Sequence, residues 1–242
     1  MSDSAHFTGG ASQTVFCPPQ TLKKGDFRSA KVTVASMNTI ITIGRQFGSG
    51  GHEIGRLLAQ ALDIPCYDKE LIVLAAQKSG MSPDVFSHVD ETATNSFLYS
   101  VSAGSIPGTA YQPAQSLPLN DKLFIAQTDL IRAKAKEGAC VFVGRCADSI
   151  LKDTAPVLNV FIRADMPFRV ARIMEAENCN EKTAIDMIGK ADKKRAKYYN
   201  FYTQKRWGAA DSYDLVLNNA KLGAEKAVQI IADYARAIAT DA

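Results

Sequence analysis

A glycine-dense segment, residues 44–51, lies between two patterns of different periodicity. The residues before it, 39–43 with the sequence TIITI, are β-branched throughout, which is typical of a strand buried on both faces. After it, apolar residues recur at helical spacing from Ile54 to Leu62. Glycines allow backbone N–H groups to curl around an anion, and the start of a helix adds positive potential. This glycine loop is therefore predicted to bind a phosphate group.

The glycine loop departs from the phosphate-binding motif GxxxxGK[ST] at its charged and hydroxyl positions. With Gly50 placed on the last glycine of the motif, Arg45 stands at the first glycine, Gly51 at the lysine and His52 at the Ser/Thr. Phosphoryl transfer depends on positioning and charge neutralisation, so another cation has to serve, and Arg45 is a candidate nearby in the sequence. His52 is interpreted either as a phosphate contact or as a solvent-facing residue at a helix start. A glycine turn without a ligand is the alternative for the whole loop.

Other polar residues follow strand-like segments. Arg145 comes directly after the buried pattern of residues 140–144, and an arginine at a helix start opposes the helix dipole, which favours a phosphate contact. Asp68 also follows a strand-like segment and is interpreted either as a site residue or as a helix cap. Asp211 and Asp214 are interpreted as groups for magnesium or for arginines, or as turn residues before a strand.

Alternating strand and helix patterns predict an α/β fold with a parallel sheet covered by helices on both faces. In such sheets ligands bind beyond the carboxyl ends of the strands, which is where the glycine loop, Asp68 and Arg145 fall. Further strands are predicted over residues 140–143, 157–162 and 213–217, and further helices over about 120–137, 145–152, 167–177, 181–199 and 224–238.

Basic and aromatic side chains are concentrated between residues 190 and 207. Composition alone favours a solvated helix face for the cations and packing in a small subdomain for the aromatic residues. Stacking on nucleobases is the alternative for the aromatic residues. The hypothesis of a nucleic-acid-binding module depends on this segment alone. The net charge of +3 argues against a dedicated nucleic-acid-binding protein.

The composition, 46% hydrophobic and 22% charged over 242 residues, suits one large folded domain. Residues 1–36 are predicted to form a disordered extension, and residues 101–119 a long loop. The five cysteines are odd in number and form no CxxC pair, so neither a disulfide framework nor a zinc site is expected. No signal peptide or membrane span is recognised, and a cytoplasmic protein without a membrane partner is predicted.

Several strings at these strand ends resemble bacterial cytidylate kinases. They are Gly48-Ser49-Gly50, Gly144-Arg145, Phe161-Ile162-x-Ala164-x4-Arg169-x2-Arg172 and Asp192-x2-Arg195. The stretch from about residue 38 to 238 is most similar to the cytidylate-kinase-like branch, in which GRQFGSGG, YDKELI, VGRCAD, YYNFYT and YDLVLN are typical. Two departures are that Cys146 stands where GRD would give an aspartate, and that residues 200–208 look like an insertion.

The resemblance implies a P-loop-type three-layer α/β/α domain over residues 37–242, with a central parallel sheet. It also implies a helical insert that binds the nucleoside monophosphate, at about 69–120, and a lid at about 181–212. The reaction implied is transfer of the ATP γ-phosphoryl group to CMP or dCMP, with ATP and Mg²⁺ as cofactors. The catalytic arginines would be Arg45, Arg145, Arg169 and Arg195, and the nucleotide would be bound by Gly48, Ser49, Gly50, Gly51, His52, Glu53 and Asp68.

Other functions remain open from the sequence. The missing lysine and hydroxyl are also what a non-catalytic nucleotide-binding regulatory module would show. A kinase of another small molecule on the same scaffold is a further reading, because a fold does not dictate a substrate. In each case the predicted partner is a small molecule rather than a nucleic acid. No residue of the protein is assigned as a metal ligand. The assembly considered is a homodimer.

Overall fold

The computed structural model describes residues 39–68, 119–153 and 156–240. The predicted disordered extension, the predicted loop apart from its last residue, and most of the predicted nucleotide-binding insert lie outside the described residues. The described part contains a five-stranded sheet in which every pair of neighbouring strands is parallel. The strands are β1 (Ile40–Arg45), β2 (Cys66–Tyr67), β3 (Val141–Val143), β4 (Val157–Arg163) and β5 (Leu215–Asn218).

The strand order is β2-β3-β1-β4-β5, which puts β1 in the centre of the sheet. The described helices are α1 (Gly51–Leu62), α2 (Leu119–Lys136), α3 (Ala147–Ile150), α4 (Met166–Glu177), α5 (Glu181–Thr203), α6 (Asn219–Leu222) and α7 (Ala224–Thr240). Their starts follow local chemistry. A proline lies in the first turn of α4, where its missing N–H costs nothing. The side chain of Asn180 caps α5 by accepting a hydrogen bond from the Thr183 amide at 2.9 Å.

Successive residues of the central strand face opposite layers of the molecule. Ile41 packs into a cluster with Leu58 of α1 and Ile231 of α7. Ile40 packs on the other face, in a cluster with Leu130 of α2. Each such side chain, when fully buried, contributes about 1.5–3 kcal/mol to folding. The three-layer α/β/α arrangement of a P-loop-type fold is confirmed, with β1 buried on both faces as its β-branched sequence predicts.

The helix after β3 and the last strand both differ from the sequence predictions. The helix predicted over 145–152 is only the short α3, because Arg145 and Cys146 adopt left-handed backbone angles with φ of 62° and 57°. The last strand begins at Leu215 rather than at residue 213. A 3₁₀ turn over Ala210–Ser212 precedes it, and the Asp214 carboxylate accepts a hydrogen bond from the Asn159 amide at 2.7 Å. Asp214 is thus a turn residue that fastens this segment to β4.

Helix α5 runs four residues beyond its predicted end, to Thr203, and so includes the start of the segment interpreted as an insertion. Tyr198, Tyr199 and Tyr202 of this helix pack in one cluster, as the sequence favoured, whereas Phe201 is exposed. Tyr202 stacks on Phe124 with ring centroids 3.9 Å apart. Within the three described ranges, no helix is long and apolar enough to cross a membrane.

Candidate active site at the carboxyl end of the central strand

The glycine loop is curled, as predicted, at the junction of β1 and α1. Gly48 and Gly50 have φ of 77° and 83°, which L side chains rarely adopt. The backbone N–H and the hydroxyl of Ser49 both donate to the Gln46 carbonyl, at 3.3 and 2.8 Å, and close the turn. Gly50 then stands at the N-cap of α1. The loop therefore presents its backbone at the start of a helix, where anions are favoured.

An open cavity of about 470 Å³ lies against the glycine loop, within the range of small-molecule sites. We call it the loop cavity. Its charged and polar lining includes seven side chains, namely Arg45, Gln46, His52, Glu53, Asp68, Arg172 and Arg195. Gly48, Gly50 and Gly51 line it as well, so eight of the eleven predicted site residues meet here. Arg172 was not among those predicted, although it lies in a string that carries the resemblance.

Gly51, at the position of the expected lysine, is packed against Arg45. A Cβ atom at Gly51 would lie 2.5 Å from the Cβ of Arg45 and 3.3 Å from the Cβ of Ile162. Real Cβ atoms do not approach other carbons this closely, so a side chain at position 51 requires Arg45 to move. The glycine at position 51, where the motif has lysine, therefore leaves the space that the Arg45 side chain needs.

Asp68 follows β2 and holds two of the predicted site residues. Its Oδ2 lies 2.5 Å from Nδ1 of His52, and its Oδ1 lies 3.7 Å from Nη2 of Arg45. The Asp68 side chain is 5% exposed, whereas that of His52 is 64% exposed. Asp68 thus contacts two residues on the glycine-loop side of the site. Whether it also caps a helix involves residues outside the described ranges.

The loop is fastened by side chains from the elements around it. The Phe47 amide donates to Oδ1 of Asp192 in α5 at 2.8 Å, and Nε of Arg169 in α4 donates to the Phe47 carbonyl at 2.7 Å. Arg169 and Asp192 also form an ion pair with each other. The Arg169 side chain, 5% exposed, therefore supports the loop from behind and lines neither cavity described here. Its predicted phosphate contact stays a prediction.

Two further hydrogen bonds that hold the loop could not be predicted from the sequence. Oε1 of Gln46 accepts a hydrogen bond from the Ala164 amide at 3.0 Å, which joins the loop to the end of β4. Nδ2 of Asn219, at the start of α6, donates to the Ser49 carbonyl at 2.8 Å. Ser49 itself is fully buried and its hydroxyl shapes the loop, while its predicted role in nucleotide binding stays a prediction.

A second, smaller cavity of about 30 Å³ lies at the ends of β1 and β3. We call it the inner cavity, and its volume suits one or two water molecules. Arg145 lines it and is 2% exposed. Arg45 and Arg195 line both cavities, so they stand between the two spaces. Arg195 also lies over the Phe47 ring, with its guanidinium carbon 5.5 Å from the centroid.

A buried acid–phenol pair forms one wall of the inner cavity. The Tyr199 hydroxyl donates to Oδ2 of Asp148 at 2.5 Å. Burial raises the pKa of the Asp148 carboxyl, and the hydrogen bond from Tyr199 opposes that rise. Burial also raises the pKa of Tyr199 and of nearby Tyr213, so both phenols stay protonated at neutral pH. Asp148 was not singled out from the sequence, although it lies in the string VGRCAD.

Comparison with known proteins places these features in context. The model of the Cytidylate kinase-like family matches residues 40–221. A cytidylate kinase from Methanococcus vannielii is 32% identical over 99 residues, which are 40% of this chain and 57% of that enzyme. One from Methanococcus maripaludis strain C5 is 33% identical over 100 residues, 40% of this chain and 56% of that enzyme. The chain thus spans little more than half the length of these curated relatives.

A solved structure is similar over a larger share of the chain. It is that of an uncharacterized protein from Eubacterium ventriosum, which is 32% identical to this chain. The match covers 82% of this chain and 98% of the other, with a TM-score of 0.62.

Proposed function

This chain belongs to the cytidylate kinase-like family, and we propose on that basis that it is an ATP-dependent phosphotransferase acting on nucleoside monophosphates, with CMP or dCMP as acceptor. The observation that carries the proposal is the loop cavity, in which a curled glycine loop faces three arginines, Arg45, Arg172 and Arg195. Backbone amides and guanidinium groups are the donors that bind phosphate oxygens most strongly.

We assign the donor triphosphate to the loop cavity and the acceptor to the side of the inner cavity. Arg45 and Arg195 stand between the two spaces, where the transferring phosphoryl group would pass. An oxygen of the acceptor phosphate forms a bond to the γ-phosphorus of ATP while the bond from that phosphorus to the β–γ bridging oxygen breaks. The products are a nucleoside diphosphate and ADP. No protein nucleophile or base is needed, because the acceptor phosphate is already ionised, and the two guanidiniums offset the charge of the transition state.

Admission of an acceptor requires the inner cavity to open. At about 30 Å³ it cannot hold a phosphate group, and three of the residues that line it, Arg195, Tyr198 and Tyr199, belong to α5. Movement of α5 away from the ends of β1 and β3 would enlarge this space, which is the behaviour expected of a kinase lid. The predicted lid, residues 181–212, begins with this helix.

Magnesium fits this site as an ion that arrives with the nucleotide. Among the residues that the structure describes, no group of three His, Cys, Asp or Glu side chains could hold a metal ion. Magnesium in phosphotransfer sites is commonly bound by phosphate oxygens and water with few protein ligands. When bound it would supply positive charge to the phosphates, beside the arginines of this chain.

A coupled assay of ADP formation tests the proposal, with magnesium–ATP and each of CMP, dCMP, UMP and AMP as acceptor. We expect turnover with CMP and dCMP to exceed turnover with UMP and AMP. We also expect Arg195→Gln to lower kcat, whereas Lys194→Gln, an exposed neighbour on α5, should leave it unchanged.

Folded protein that forms no ADP with any of the four acceptors refutes the proposal. If that protein still binds ATP, it is a nucleotide-binding module without turnover. If ADP forms only with phosphorylated or unphosphorylated metabolites found in a thermal-shift screen, the protein is a kinase of another small molecule.

A further inference from the structure

We propose that Asp68 is a positioning residue that joins Arg45 and His52 into one phosphate-binding face of the glycine loop, in place of the lysine that the loop lacks. The proposal rests on the proposed function, because it takes the loop cavity to be the place of the donor phosphates. It concerns only how the chain holds those phosphates, and it does not depend on the acceptor.

The first step is the reason why Arg45 has to be held. A lysine at position 51 would extend from the first turn of α1, whereas Arg45 extends from the last residue of β1. The packing of Gly51 against Arg45 fixes only the Cβ end of the arginine, since the 2.5 Å approach involves that atom. The guanidinium is several rotatable bonds further along, and Asp68 Oδ1, 3.7 Å from Nη2, restrains that end.

The second step concerns the two nitrogens of His52. Nδ1 lies 2.5 Å from Asp68 Oδ2, so this nitrogen carries the hydrogen of the contact. Nε2 lies on the opposite side of the ring, and the largely exposed ring lines the loop cavity. This nitrogen can donate to a phosphate oxygen when it also carries a hydrogen. A carboxylate that binds one imidazole nitrogen fixes the ring orientation, and so fixes the direction in which the other nitrogen points.

The third step is that a carboxylate is otherwise unfavourable here. A buried carboxylate beside a phosphate-binding cavity repels the ligand, and its own desolvation costs free energy. Asp68 is 5% exposed and lines the loop cavity, so both costs apply to it. The contacts with His52 and Arg45 offset these costs, and they turn two side chains from different elements toward the same space.

The test uses the full chain and inorganic tripolyphosphate, titrated calorimetrically, so that neither base recognition nor turnover enters. We expect Asp68→Asn to weaken tripolyphosphate binding by about tenfold or more, as for other residues that orient a ligand-binding side chain. His52→Gln should weaken it as well. Because Asp68 acts through His52, the double variant should lose less than the product of the two single losses. Asp63→Asn, an exposed aspartate at the far end of α1, is the matched control and should bind like the wild-type protein.

Three results would overturn the proposal: wild-type protein that does not bind tripolyphosphate, Asp68→Asn that binds as tightly as wild type, or fully multiplicative losses in the double variant. Thermal unfolding checks that each variant is folded. If Asp68→Asn does not fold, the exposed His52→Gln variant decides, and unchanged affinity there overturns the proposal. If tripolyphosphate binding depends on Asp68 but the protein forms no CDP from CMP, the proposed function is contradicted and this proposal stands.

Discussion

At the scale of single residues, the site differs from a lysine-based phosphate loop in where its positive charge originates. Arg45 comes from the end of β1 and Arg195 from α5, and the two line both cavities. Guanidinium groups bind phosphate oxygens in pairs of parallel hydrogen bonds, whereas an ammonium group acts as a compact point charge. Two arginines from different elements can therefore neutralise the transferring group and also fix its orientation.

The raised pKa of Asp148 predicts how the stability of the protein depends on pH. Burial raises it above the ordinary 3.8, so the folded state binds this proton more tightly than the unfolded state. The stabilisation from that proton is complete below the ordinary value and is lost as pH rises through the raised value. We expect Asp148→Asn, which still accepts the Tyr199 hydroxyl, to gain free energy of unfolding relative to wild type as pH rises from about 4 to about 7.

Urea unfolding of both proteins at several pH values in this range measures the difference. Asp153→Asn, an exposed aspartate just beyond α3, is the control for the general effect of removing a carboxylate. If the wild-type and Asp148→Asn curves run parallel across the range, the burial of Asp148 does not have the effect described.

Sequence reasoning succeeded for residues whose type is unusual for their position. Arg45 and Gly51 stood out because the loop motif expects other residues there, and Arg145 because it opposes a helix dipole. Gln46 and Asn219 could not be found in this way, since their contacts are with backbone groups of segments distant in the chain. The roles of all these residues in catalysis stay predictions.

At the scale of elements, α5 holds the glycine loop through two of its side chains. Asp192 and Arg195 are three residues apart and so lie on the same face of the helix. Asp192 accepts the Phe47 amide, and Arg195 lies over the Phe47 ring and reaches the Arg45 carbonyl at 3.5 Å. The movement of α5 that we propose for admission of the acceptor would therefore also act on the loop through these contacts.

Removal of the Asp192 carboxylate tests this connection. Asp192→Ala leaves the Phe47 amide without its acceptor and the buried Arg169 without its ion-pair partner. We expect a loss of about 3 kcal/mol in the free energy of unfolding, as for other broken buried pairs, and weaker ATP binding. Denaturant unfolding and calorimetry measure the two quantities.

Asp186→Ala provides the comparison, because Asp186 is exposed on the same helix. Its effect on unfolding should stay within about 0.5 kcal/mol. A similar small effect for Asp192→Ala would show that α5 does not hold the loop.

Element boundaries were predictable where hydrophobic periodicity determined them. The strands at 40–45 and 157–163 and the helix at 166–177 agree with their patterns. The helix predicted after β3 was too long because two successive residues, Arg145 and Cys146, take left-handed angles that tertiary packing imposes. Periodicity carries no information about such angles.

At the scale of the whole molecule, the fold and the place of the site followed from one regularity. Parallel strands bring their carboxyl ends to one edge of the sheet, and the glycine loop and Arg145 follow β1 and β3, which are neighbours. The resemblance supplied the rest of the predicted site. Three features depend on distances between elements, which one sequence does not contain. They are the strand order, the contacts of Arg169 behind the loop and the pairing of Asp68 with His52.

The most direct measurement for this account is the affinity for magnesium–ATP of the Arg45→Gln variant, determined calorimetrically beside the wild-type protein. Arg56→Gln, an exposed arginine on α1, serves as the control. Because we propose that Arg45 takes the place of the absent lysine, we expect wild-type-like binding for Arg56→Gln and affinity at least about tenfold weaker for Arg45→Gln. Equal affinities for Arg45→Gln and wild type would contradict it.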